Sequence, residues 1–107
     1  MNIEDLFKKL NYEVYIRNQV KGISGVTHEL DYMIKKADKT YTVFLTKKKE
    51  LQNTFLKSLV VSLDTKIQAL ILVTDEIGKE ETMFYKNHNL NVKVFENINE
   101  LEKFLKS

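Results

Sequence analysis

The sequence predicts an α/β domain, a mixed five-stranded sheet flanked by helices, in the order αβββαβαβα. Three observations carry this. Residues 12–47 hold three runs of alternating or β-branched character joined by short links, as antiparallel neighbours are. From residue 50 onward, helical patterns alternate with short apolar runs, which implies parallel strands with right-handed crossovers. One of those runs, IQALILV at residues 67–73, is apolar almost throughout, as expected of a central strand covered on both faces.

The elements follow in order. Asn2 can cap a first helix, with Glu4 and Asp5 in its first turn, and Ile3, Leu6, Phe7 and Leu10 recur at helical spacing. Asn11 is a natural end for it. Tyr12, Val14 and Ile16 alternate with Glu13, Tyr15 and Arg17, which predicts a half-buried strand. Residues 18–26 contain two of the three glycines and read as a loop. Residues 28–36 read as one strand, with Leu30, Tyr32 and Ile34 on one face and Glu29, Asp31, Met33 and Lys35 on the other. A turn at residues 37–40 leads into a third strand, residues 41–47.

Residues 50–63 predict a helix with an apolar stripe of Leu51, Phe55, Leu59 and Leu63, widened by Leu56 and Val60. Asp75 can cap a helix over residues 75–87, with Gly78 inside it as a weak point. Val92 and Val94 mark the last strand. Asn97 with Glu100 three residues on forms a capping box for a helix over residues 98–106. Tyr12, Tyr41, Phe44, Phe55 and Phe84 fall on positions expected to be buried.

The 107 residues, 43% apolar, suit one domain over residues 1–107. With no cysteine, disulfides and thiolate metal sites are excluded. The first ten residues lack the pattern of a secretory signal, and no apolar run is long enough to span a bilayer, so the expectation is a cytoplasmic protein without a membrane partner. Net charge is only +2, yet residues 17–49 hold eight basic residues against three acidic, a net of +5. That asymmetry suits an anionic partner such as nucleic acid.

The stretch Gly22-Ile23-Ser24-Gly25-Val26-Thr27-His28-Glu29-Leu30-Asp31, between a first helix and a third strand ending Leu45-Thr46-Lys47, resembles the G-x-S-G-x-x-H-E-x-D motif of Mrr-like restriction endonucleases and archaeal Holliday-junction-resolvase relatives. These belong to the restriction-endonuclease-like, or PD-(D/E)xK, superfamily. The element order resembles that fold over nearly the whole chain, and the motif is sharp between residues 12 and 49. The resemblance implies that Asp31 is a metal ligand and Lys47 the catalytic lysine, with Glu29 beside Asp31 as a further ligand. It implies accessory roles for Glu4, His28 and Glu50, and DNA contacts from Arg17, Lys21, Ser24, Lys48 and Lys49. The cofactor, if the site is active, is Mg²⁺ or Mn²⁺; otherwise there is none.

Leu45 stands where the family carries a carboxylate or amide. Mg²⁺ takes oxygen ligands, and leucine offers none. The sequence therefore leads first to a nuclease-fold DNA-binding domain with a degenerate, weakly active or inactive site. The alternatives are an active Mg²⁺-dependent DNA endonuclease using Glu29 or Glu50 as the replacement acid, and a non-catalytic interaction scaffold that forms a homodimer.

Overall fold

The computed structural model describes residues 2–16, 18–86 and 91–107. Asn2 caps α1 (Ile3–Lys9), its side-chain oxygen accepting the Glu4 N–H at 2.8 Å. The chain turns through Asn11 at φ 68° into β1 (Glu13–Ile16), then β2 (Gln19–Lys21), β3 (Thr27–Glu29), β4 (Tyr32–Lys36) and β5 (Lys39–Thr46). A single 3-10 turn, Lys48–Glu50, opens α2 (Leu51–Thr65). Strand β6 (Gln68–Val73), α3 (Lys79–Lys86), β7 (Val92–Phe95) and α4 (Ile98–Lys106) complete the described chain.

Five strands form the main sheet in the order β1-β4-β5-β6-β7. Strands β1, β4 and β5 pair antiparallel, and β5, β6 and β7 pair parallel. This is the mixed α/β sheet expected from the sequence. Its β6 is buried along nearly its whole length. Leu70 and Leu72 join Leu6, Phe7, Ile34, Val43 and Leu101 on the face covered by α1 and α4. Ala69, Ile71 and Val73 join Phe44, Leu51, Phe55 and Val61 on the face covered by α2. A strand with two covered faces has no polar side to show.

Four sequence expectations are corrected. First, residues 28–36 are not one strand. The chain breaks at Leu30–Asp31, and β3 pairs with β2 in a separate two-stranded sheet. The Leu30 N–H goes to the Asn18 carbonyl, while the Asp31 carboxylate accepts the Leu45 N–H at 2.8 Å. The Asp31 side chain thus replaces a ladder acceptor, as short acidic side chains can, and Glu29 and Asp31 do not share a strand face.

Second, α2 buries a different stripe. Leu51, Phe55, Ser58, Val61 and Ser62 face the sheet, whereas Leu56, Val60 and Leu63 are 53%, 58% and 68% exposed. Ser58 and Ser62 donate to the Phe55 and Leu59 carbonyls, so these small side chains are satisfied within the helix and fit against the sheet. A wheel that counts only apolar residues misses such positions. Third, α3 starts after Gly78, whose carbonyl accepts the Glu81 and Thr82 N–H groups, and Asp75 caps nothing in it. The expected end at residue 87 lies outside the described residues. Fourth, Phe84 is 67% exposed rather than buried, and Ile16 is 59% exposed at the end of β1.

The Asn97 cap is present, with its side chain accepting the Glu100 N–H at 3.0 Å. Glu100 returns its bond to the Glu96 N–H, one residue earlier than a capping box requires.

Candidate functional site

Strand β5 delivers Leu45 and Thr46 to its carboxyl end, where the chain passes into Lys47 and the 3-10 turn. Asp31, in the break before β4, lies directly beside Leu45 through the 2.8 Å bond to its N–H. The motif's aspartate and the strand that ends in Lys47 are therefore neighbours in space. The Leu45 side chain turns the other way, toward Leu72 and the α1 side. There it lines an open cleft of about 1020 Å³ with Lys48, Asp75, Glu76, Lys79 and Glu96. Asp31 instead borders a smaller hollow with Gln19, Glu29, Phe44 and Lys57.

Of the other proposed acids, Glu29 borders the same hollow as Asp31, and Glu4 and Glu50 lie on other elements. Glu29 sits in the β2–β3 hairpin, where it accepts from the Gln19 amide at 3.4 Å. Glu50 is exposed at the start of α2, its N–H bonded to the Lys47 carbonyl. Glu4 lies in the first turn of α1. Among the described residues, no group of three or more His, Cys, Asp and Glu side chains is arranged to hold a metal ion. A divalent metal of the kind the resemblance implies does not fit this donor set: Asp31 has one oxygen occupied by a backbone N–H, and Leu45 supplies none.

The basic residues also separate. Lys35, Lys36 and Lys39 lie at one end of the β4–β5 hairpin, and Lys47, Lys48 and Lys49 at the other end of β5. Eight strand residues set these groups roughly 25 Å apart. Lys35, Lys36, Lys39, Lys47, Lys48 and Lys49 thus form two patches, not one. Lys35 and Lys36 sit over the Tyr15 and Tyr12 rings. At the site end, Lys48 pairs with Glu81 at 3.1 Å and its N–H is held by Asp75 at 2.7 Å. Lys21, Lys47 and Lys49 are exposed; Arg17 and His88 lie outside the described residues.

The glycine loop has a different centre from the one expected. Asp64, in the last turn of α2, accepts the Ser24 N–H at 2.8 Å and the Ser24 hydroxyl at 2.7 Å, and its carboxylate lies 2.7 Å from His28 Nε2. The Ile23 N–H adds a bond to the Asp64 carbonyl at 2.8 Å. A Cβ on Gly22 would collide with the Asp64 carboxylate. Gly25 serves the turn itself, at φ 90°. Gly22, Ser24 and His28 therefore clamp the loop onto α2. Sequence reading missed Asp64, although a signal was present: an acid in the last turn of a helix opposes the helix dipole and calls for a compensating partner.

The bonds from His28 and then Ser24 pull the Asp64 carboxyl down from its usual 3.8 to about 2. Its folded value lies below the unfolded one, so the stability it contributes is fully present above pH ~4 and is lost as pH falls toward 2. Asp64→Asn is expected to melt at a lower temperature than the native protein at neutral pH. The two melting curves should converge as pH is lowered through that window, measured by circular dichroism.

No family model and no curated protein matches the chain. A solved structure of similar fold is that of a protein of unknown function, AF1548, with a TM-score of 0.62 and 16% identity; the match covers 86% of this chain and 53% of that one. The chain thus spans about half the length of that protein, and at this identity the likeness concerns the fold alone. Among the described residues, no helix is long and apolar enough to cross a membrane.

Proposed function

We propose that this chain is a DNA-binding domain of the restriction-endonuclease-like class whose metal site is degenerate, leaving it weakly active or inactive in hydrolysis. The observation that carries this reading is the Asp31 carboxylate seated on the Leu45 N–H, with Lys47 two residues further on. That is the juxtaposition a PD-(D/E)xK site needs, with the strand carboxylate missing. The strand order, antiparallel then parallel, is compatible with the class. The poor fit of a divalent ion to these donors favours binding over cleavage.

Lys21, beside the glycine loop, and Lys47 and Lys49, just past the carboxyl end of β5, are exposed, and they are the proposed phosphate contacts. Lys48 contributes less, because Glu81 neutralises it. The Ser24 hydroxyl and N–H are both committed to Asp64, so Ser24 acts on the loop rather than on DNA. Binding driven by phosphate contacts weakens linearly in the logarithm of salt, by about 0.9 per neutralised phosphate. The double variant Lys47→Ala/Lys49→Ala is expected to weaken duplex or branched DNA binding across sequences and to flatten the salt slope by up to about two. Fluorescence anisotropy at several salt concentrations measures both. Failure of the native chain to bind any DNA form at low salt would remove the reading.

A further inference from the structure

We propose that the outward face of α2 is a self-association surface, on which two copies of this chain pack helix against helix in antiparallel fashion. Leu56, Val60 and Leu63 stand more than half exposed, at spacings of four and then three. That is the spacing of a helix seam made to receive another helix. They lie on the side opposite Ser58, Val61 and Ser62, which pack on the sheet. The stripe is therefore a second apolar face, not the margin of the first. A helix that is apolar on both sides is one that is covered on both sides.

The patch does not end with the helix. The clamp on Asp64 holds the loop against the C-terminal end of α2, and that loop carries Ile23 and Val26, 75% and 54% exposed. Together the five side chains expose on the order of 500 Å² of apolar surface, at the upper end for a monomer. This is a large share of the roughly 800 Å² that each partner contributes to a standard interface. An antiparallel pair opposes the two helix dipoles, whereas a parallel pair would align like with like. The same patch on both copies gives a two-fold contact that closes at two. This inference does not depend on DNA binding.

Sedimentation velocity of the native chain in the micromolar range is expected to give a dimer, and Val60→Lys a monomer with unchanged circular dichroism and melting. A monomeric native chain, or a Val60→Lys variant that stays dimeric, would overturn the proposal. Should Val60→Lys fail to fold, Val60→Cys decides. The chain has no cysteine of its own, so oxidation is expected to give a cross-linked dimer, while Lys79→Cys, away from α2, gives none. Absence of the Val60→Cys cross-link under those conditions would equally overturn it.

Discussion

Gly22→Ala is expected to destabilise the protein by about 2 kcal/mol, within the range that forced overpacking costs. Two effects oppose one another. Replacing a glycine at a permissive backbone position gains ~0.4–1 kcal/mol by restricting the unfolded chain. Gly22 does not have a positive φ, so that gain is available. Against it, the new methyl would occupy the space of the Asp64 carboxylate. Asp64 is a short side chain held by Ser24 and His28, so relieving the collision means breaking the clamp. The cost outweighs the gain. A double-mutant cycle isolates the cause, because coupled sites depart from additivity. With Asp64→Ala already present, Gly22→Ala should be neutral or slightly stabilising in urea unfolding. A full-sized loss in both backgrounds would mean that the clamp is not the reason for the glycine.

The directions of the five main-sheet strands could be read from residue patterns, because burial on one face or two is written directly into periodicity, whereas β2 (Gln19–Lys21) lies in residues 18–26, which the sequence predicts as a loop. The run at residues 67–73 announced β6 in this way. The break at Asp31 could not be read so. Alternation from His28 to Lys36 is uninterrupted in the sequence, and only the three-dimensional partner, the Leu45 N–H, converts Asp31 from a strand residue into an acceptor. Likewise the resemblance makes Ser24 a DNA contact and His28 an accessory site residue, with Gly22 part of the same motif. Their common target, Asp64, lies about forty residues away and is invisible to local pattern. The lysines divide for a similar reason: the hairpin gathers Lys35, Lys36 and Lys39 at its turn, and the length of β5 carries Lys47, Lys48 and Lys49 to the other end. The helical wheel of α2 failed because serines, not leucines, fill part of its buried face.

At the site, the identity of residue 45 has the largest expected consequence. Leu45 is only half buried and lines an open cleft, so Leu45→Glu should fold. Its carboxylate would enter the cleft that Leu45 lines, apart from the hollow that Asp31 borders, so a shared ion requires Asp31 to leave the residue-45 N–H and turn toward the new side chain. Two carboxylates with open positions for water and phosphate are what Mg²⁺ and Mn²⁺ sites of this kind offer, and Lys47 would stand beside them to orient water or neutralise phosphate. The expected result is a gain of Mn²⁺ binding, read by titration calorimetry, where the native chain gives little or none.

On the proposed reading, the site is that of a nuclease lacking one ligand. Mn²⁺-dependent nicking of supercoiled DNA by the native chain, by Leu45→Glu and by Leu45→Glu/Asp31→Ala tests it most directly. No nicking by the native chain, nicking by Leu45→Glu and its loss in the double variant are the predicted results. Robust cutting by the native chain, or a folded Leu45→Glu that neither binds Mn²⁺ nor cuts, would contradict it.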